Sequence, residues 1–468
     1  MSDILTASAR TQAKAIATKK ISSVELTKEV VARLHHAHEI SNAVVAMEAD
    51  EALKAAKAAD AAVAKGRELG PLHGVPLAHK DMFDRKGKIA SWGAKIRATA
   101  PATEDATVIA RFKQAGALQA AALHMTEFAF GPTGHNYILG HARNPWDPTR
   151  VTGGSSSGTA CSVALGAIPA GLGSDTGGSL RLPAAACGVS SIKPTWGRVS
   201  RAGAMPLALC LDTLGVIARH VEDLALMLGF LAGPDPRDPA ASLVPVPDYL
   251  AQMKKPVKGL KLGIDAALIG EADPAMQKMV GRVVDVLAKI GLAKTGCTFE
   301  HWGTIDHLTQ LIQFPDAASA HAGYLMSRPG DFGPQLRARL EVGHFIAAVD
   351  HMTALRARGT FLQRTLEATF AGIDVAILPI NADPLPTIAE LDVAGSPRVQ
   401  QVMSRVVKFT RPINYLGLPT LTLPIPRLGG LPNGVQIIGK PYAEGLLFAI
   451  GAAYQREVPP EVATPGML

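Results

Sequence analysis

Two clusters of serine and glycine are the part of the sequence best suited to chemistry, TGGSSSG at 152–158 and GSDTGGS at 173–179. Glycine reaches backbone conformations closed to larger residues, so several N–H groups of such a segment can point into one concavity. One cluster alone is more often a linker or a tight turn. Two clusters, each followed by a stretch of small helix-forming residues, favour a functional site. In the second cluster, four amides can surround an oxyanion that forms beside the Ser179 hydroxyl: those of Thr176, Gly177, Gly178 and Ser179.

A serine nucleophile needs a base, and Lys80 is the candidate. It follows the apolar run Val75–Ala78, which predicts a buried strand that delivers His79, Lys80 and Asp81 at its end. A lysine accepts a proton near neutral pH only if burial lowers its pKa from about 10.4 to roughly 7–8, at a cost of about 3–4 kcal/mol. Most lysines that follow strands are solvated, so this assignment depends on the serine clusters.

The same letters allow a second interpretation. Residues 154–158, GSSSG, match the G-x-S-x-G nucleophile elbow, in which Ser156 would act with a histidine base. An elbow needs a buried strand directly before it, whereas NPWDPTRVT at 144–152 contains two prolines and no apolar run. The sequence disfavours the elbow, since no pattern directs a histidine toward either cluster; the candidates considered are His220, His301, His307 and His321.

Metal and cofactor motifs are missing from the sequence. There is no HExxH, no GxGxxG and no GxxxxGK[ST] after a strand. The four cysteines show neither CxxC nor CxH spacing: Cys161, Cys187, Cys210 and Cys297. We therefore expect neither a metal nor a cofactor.

The 468 residues must supply the elements that position these groups, and 47% of them are apolar while 19% are charged. Such a composition predicts a large buried core. Ser22 and Glu25 predict a capping box at the start of a helix over 21–39. Apolar strand-like runs alternate with helical segments, which indicates an α/β architecture. Further helices are predicted at 50–65, 219–232, 276–291 and 335–370, and buried strands at 374–380 and 417–425.

Charge and hydropathy narrow the expected surroundings. The net charge of +7 is modest for this length and is spread along the chain, so a nucleic-acid surface is not indicated. The longest weakly polar stretch, 158–173, is too short to span a bilayer. The first twenty residues lack a signal-peptide pattern. We expect a cytoplasmic protein without a membrane segment.

Several ordered segments together resemble the amidase signature family. GPLHGVPLAHKD (70–81) resembles its lysine segment, and residues 153–200 resemble its serine-rich signature. The similarity extends over most of the chain, although Ser157 stands where a glycine is common. The other matching segments are 144–148, 211–228, 257–264, 374–380 and 413–439.

This resemblance implies a single α/β domain over 1–468, with one large mixed sheet covered by helices on both faces. The signature core would span about 66–232, and the variable region that forms the substrate pocket about 240–400. It also implies a triad of Ser179 as the acylated nucleophile, Ser155 as a bridging serine after a cis peptide bond, and Lys80 as the base. Two groups of supporting residues follow: Thr176, Gly177 and Gly178 as oxyanion donors, and Asp175 and Arg181 as braces of the loop.

The implied function is hydrolysis of an amide-type C–N bond in a small molecule. An amidase subunit of a tRNA-dependent amidotransferase and a G-x-S-x-G esterase stay open as alternatives. The sequence does not select among amides, carbamates, hydrazides and ureido acids, and a homodimer is compatible with it. The expected pocket residues are Met125, Thr126 and Phe130 on the near side, with Phe314 or Tyr324 on the far side.

Overall fold

The computed structural model describes residues 2–97, 101–391, 397–425 and 430–463. Within these residues the strands form two sheets, one of eight strands and one of three. The strands are β1 Val44–Met47, β2 Pro76–Lys80, β3 Leu118–Leu123, β4 Ala170–Asp175, β5 Ser190–Lys193, β6 Thr213–Ala218, β7 Lys261–Ile264, β8 Ala293–Gly296, β9 Val375–Pro379, β10 Thr420–Pro424 and β11 Gly434–Gly439.

The large sheet has the order β4-β6-β5-β10-β11-β9-β7-β8. Its first six strands pair antiparallel, and β9, β7 and β8 pair parallel, so the predicted large mixed sheet is confirmed. The small sheet, with the order β1-β3-β2, was not predicted. Its strand β2 packs against β4, which brings Lys80 at the end of β2 toward the serine clusters.

Eighteen α-helices lie within the described residues. The capping box at the start of α3 is confirmed: Ser22 Oγ accepts from Glu25 N at 3.0 Å, and Glu25 Oε2 accepts from Ser22 N at 2.8 Å. The helices are α1 Ser2–Thr6, α2 Ala9–Ala17, α3 Ser23–Ser41, α4 Ala49–Ala64, α5 Thr107–Gln114, α6 Ser157–Ala164, α7 Arg181–Cys187, α8 Val221–Leu231, α9 Tyr249–Gln252, α10 Ala266–Ile269, α11 Pro274–Lys289, α12 Trp302–Ser327, α13 Pro334–Gly343, α14 Ala348–Ala368, α15 Ile388–Leu391, α16 Pro397–Val407, α17 Arg411–Leu416 and α18 Glu444–Glu457.

Helices cover both faces of the large sheet, as the strand residues show. Gln436 of β11 accepts from Arg181 of α7 at 2.8 Å. Its neighbour Ile437 pairs with Leu421 of β10, whose side chain packs against Gly451 of α18. Successive strand residues point to opposite faces, so α7 and α18 lie on opposite sides of the sheet. The predicted covering of both faces is therefore confirmed.

The region after residue 300 differs most from the prediction. The helix predicted over 335–370 is two helices, α13 and α14, separated by residues 344–347. Gly343 ends α13 where the chain approaches α12 so closely that a Cβ atom there would lie 2.3 Å from Phe314 O. The 26-residue α12, which contains Pro315, was not predicted. Both differences arise from packing between distant segments.

A single buried apolar cluster contains residues from Leu5 to Ala463. The assignment of 1–468 to one domain stays a prediction. None of the helices in the described residues is both long and apolar enough to cross a membrane.

Candidate active site

The two serine clusters meet at the start of neighbouring helices. The first precedes α6, and the second connects β4 to α7. Ser156 N donates to Ser179 O at 3.3 Å, which ties the clusters together next to both predicted catalytic serines. The peptide bond between Gly154 and Ser155 is cis. This is the unusual bond that the family resemblance implied.

Lys80, the last residue of β2, reaches the first cluster through a sealed interior. Its side chain is 1% exposed, and its Nζ lies 2.7 Å from Ser155 Oγ and 2.8 Å from Ser174 Oγ. Burial lowers the pKa of Lys80 to about 7, although the carboxylates of Asp175 and Asp212 raise it. A substantial fraction of the amine is therefore uncharged near neutral pH, as a proton acceptor requires.

Ser174 is a contact of Lys80 that the sequence analysis missed. It lies one residue before the end of β4, so its side chain follows the alternation of that strand. The available signal was a hydroxyl residue within the otherwise small and buried strand AGLGSD. Ser174 Oγ gives the lysine a second partner beside Ser155, which fixes the position of Nζ.

Ser179 lies beside a cavity, and only part of the expected relay is formed. The residue is 8% exposed, and its Oγ has no hydrogen-bond partner within the described part of the chain. Lys80 and Ser155 are thus in contact, whereas Ser155 and Ser179 are not hydrogen-bonded. Proton transfer between the two serines stays a prediction.

The expected oxyanion donors differ in how they are used. The Gly178 amide donates to Asp175 Oδ1 at 2.8 Å, so it braces the loop instead of facing a substrate. This differs from the expectation that Gly178 helps to bind the oxyanion. No residue in the described ranges accepts from the amides of Gly177 and Ser179, which leaves both available. Thr176 also contributes to the loop through its side chain, which donates to Asp212 Oδ1 at 2.6 Å.

Asp175 and Arg181 form the buried brace beneath this loop. Arg181 Nε and Nη2 donate to the two carboxylate oxygens at 3.0 and 2.9 Å, and both residues are fully buried. Asn414 Nδ2 donates to the same carboxylate at 2.9 Å. Burial opposes the charged form of Asp175, but the Arg181 guanidinium outweighs it and holds the pKa of that carboxyl below its usual range. The sequence analysis missed Asn414 and Gln436, the partners from distant segments.

A cavity of about 280 Å³ opens beside Ser179. Phe130 and Phe314, two of the expected pocket residues, line it. The other principal side chains of the lining are Gln310, Gln313, Arg339, Met403, Val407 and Arg411. The small volume suits a small-molecule substrate.

Three of the expected pocket residues lie elsewhere. Met125 is fully buried, and its carbonyl oxygen accepts from Asn136 Nδ2 at 2.9 Å. Thr126 N donates to Ser155 O at 3.2 Å, so it supports the serine loop. Tyr324 is exposed on α12. Apolar residues near a motif are more often core than pocket, which explains why the spacing misled.

The geometry gives the elbow alternative no support. Ser156 is fully buried, and its Oγ donates to Ser174 O at 3.3 Å. In the described residues no histidine is hydrogen-bonded to Ser156, and residues 144–152 form no strand.

Comparisons with known proteins agree on one family. The Amidase family model matches residues 25–448. The A-type subunit of the glutamyl-tRNA(Gln) amidotransferase of Chloroflexus aurantiacus is 35% identical over 472 residues, which cover 94% of each chain. A structure described as a vestigial protein complex that reveals the origins of an s-triazine catabolic enzyme is 30% identical, with a TM-score of 0.91 and 98% and 100% coverage of this chain and that chain. A crystal structure of an amidase is 30% identical, with a TM-score of 0.84 and coverage of 96% and 100%.

Proposed function

The chain belongs to the amidase signature family of hydrolases that act on C–N bonds, and we propose that it cleaves a small-molecule amide through an acyl-enzyme on Ser179. The 2.7 Å contact between Lys80 Nζ and Ser155 Oγ carries this proposal. It joins a buried amine with a pKa of about 7 to a hydroxyl in the loop that contacts Ser179.

In the proposed first step, the lone pair of neutral Lys80 accepts the hydroxyl proton of Ser155. Ser155 Oγ in turn takes the proton of Ser179 Oγ, which has no competing hydrogen-bond partner in the described residues and can turn toward Ser155. Ser179 Oγ then attacks the amide carbon. The second contact of Lys80, with Ser174 Oγ at 2.8 Å, keeps Nζ in place during this transfer.

In the following steps, the amides of Gly177 and Ser179 hold the oxyanion, and each donor contributes about 3–4 kcal/mol to the transition state. Ser155 returns its proton to the leaving nitrogen, and the C–N bond breaks. Water then attacks the acyl-enzyme and gives its proton to the same relay, which releases the acid and restores Ser179.

An amidase subunit of a tRNA-dependent amidotransferase is a second candidate, favoured by the 35% identity to such subunits over 94% of the chain. The two functions separate by experiment. An isolated chain that hydrolyses simple amides supports the first, whereas activity that depends on added partner proteins supports the second.

The test of the proposed chemistry is turnover of a panel of amides, carbamates, hydrazides and ureido acids by the purified protein. Ser179→Ala, Ser155→Ala and Lys80→Ala should each fold and lose nearly all turnover, and the losses should not add in double variants because the groups act as a unit. Ser156→Ala is the matched control and should retain most of the activity. Near-full activity of Lys80→Ala would show that the proposed base is wrong.

A further inference from the structure

Arg339 of α13 places a positive charge in the Ser179 cavity without a counterion. No carboxylate of the described residues forms an ion pair with it, and its Nη1 donates only to Phe130 O at 3.2 Å and to Met403 Sδ at 3.9 Å. The guanidinium stacks over the Phe130 ring at 4.1 Å and lies 5.6 Å from the centre of the Phe314 ring. Its Nε is buried and has no hydrogen-bond partner.

This arrangement is costly unless something completes it. A guanidinium that leaves water without a carboxylate partner loses several kcal/mol of solvation. The cost shows in the pKa of Arg339, which burial and the neighbouring Arg411 lower to about 9. Stacking on two aromatic rings offsets only part of the penalty.

A second arginine of the same cavity provides the contrast. Arg411 donates to both carboxylate oxygens of Asp306, from Nε at 2.8 Å and from Nη2 at 2.9 Å. Its charge is therefore neutralised within the protein. Arg339 alone among these two has donors left over for a ligand.

The described lining of the Ser179 cavity contains no acidic side chain. Its uncharged polar side chains come from glutamine and serine, among them Gln310, Gln313 and Ser404. Glu127 lies with Arg339 around a separate small cavity, where its Oε2 accepts from Gly333 N at 3.0 Å. Burial raises the pKa of Glu127 to about 7, so it is not a fixed counterion for the arginine.

We infer that Arg339 binds a carboxylate of the acyl part of the substrate, so that the enzyme prefers amides that carry a single negative charge. The planar fork of arginine matches a carboxylate, and the aromatic rings hold the fork in place. A zwitterionic amino-acid amide such as glutamine should be a poor substrate, because nothing in the described lining pairs with its ammonium group. This inference rests on the proposed function and names its substrate class.

The kinetic test uses mono-amides of dicarboxylic acids, from malonamate to adipamate, against neutral amides of equal chain length and against glutamine. The best mono-amide should exceed its neutral counterpart and glutamine about tenfold or more in kcat/KM. Arg339→Met should reduce this preference roughly ten- to hundredfold, mainly through KM, and Arg339→Lys should restore part of it. Arg337→Met is the matched control, because Arg337 lies on the same helix, is exposed and pairs with Glu341 at 2.7 Å. It should leave the preference as it is.

A binding measurement separates failure of this inference from failure of the proposed chemistry. Calorimetry should detect the preferred mono-amide on Ser179→Ala and no binding to Ser179→Ala combined with Arg339→Met, with melting curves to verify folding. This result supports the anion site even if the wild type turns nothing over. Equal kcat/KM for neutral and anionic amides, glutamine turned over as well as glutaramate, or no mono-amide binding to Ser179→Ala would each overturn the inference.

Discussion

The ionisation of Lys80 should set the acid side of the pH–rate profile. The active form is the neutral amine, and its pKa of about 7 makes about nine-tenths of it neutral at pH 8 but only about a tenth at pH 6. The value of kcat/KM should therefore rise about tenfold between these two pH values and fall about tenfold per unit below them. A solvated lysine would shift the midpoint above about pH 9.

The assay is the initial rate on the best amide of the panel from about pH 5.5 to about pH 9.5, with circular dichroism at each pH to verify folding. Lys193 provides the matched control, because burial also lowers its pKa to about 7 while its Nζ contacts only Pro194 O, at 3.1 Å. Lys193→Met should retain the acid limb at the same midpoint. A flat profile, a midpoint above about pH 9, or loss of the limb in Lys193→Met would refute the assignment of Lys80.

Three further variants test the energetics of the site. Lys80→Met should stabilise the fold by roughly 2–3 kcal/mol at pH 7 in urea unfolding, since the folded state holds the lysine pKa about 3.5 units below 10.5 at a cost of about 4 kcal/mol, and two hydrogen bonds of about 1 kcal/mol each are lost; a less stable protein would contradict this. Asp175→Asn should cost about 3–5 kcal/mol because it leaves the buried Arg181 unpaired, and the double variant with Arg181→Met should recover part of it. Gly178→Ala should lower kcat about a hundredfold with the fold retained, because φ is +130° and the new Cβ would lie 2.5 Å from Thr410 Oγ1; a kcat within a few-fold of the wild type would count against the loop geometry.

Local signals in the sequence were sufficient for several elements. The capping box of Ser22 and Glu25 needs only neighbouring residues, and the structure forms it as predicted. The apolar run before Lys80 likewise predicted a buried strand, although β2 extends through Lys80 instead of ending before it. The ordered motifs identified the family over most of the chain.

Contacts between distant segments were beyond the reach of those signals. Ser174 is 94 residues from Lys80, and Asn414 is 239 residues from Asp175, so neither contact has a spacing that a sequence pattern can reveal. The inward turn of the Gly178 amide depends on the loop conformation and not on residue type. Arg339 looked like one of many arginines on a predicted helix, and its lack of a counterion emerges only when α13 packs beside Phe130.

The central claim is that Ser179 becomes covalently modified through a relay that begins at Lys80. Treatment with a fluorophosphonate, followed by peptide mapping in a mass spectrometer, tests it most directly. The account predicts a single adduct on Ser179, absent from Ser179→Ala and formed far more slowly in Lys80→Met. An adduct on Ser156 or any other residue, or labelling of Lys80→Met at the wild-type rate, would contradict it.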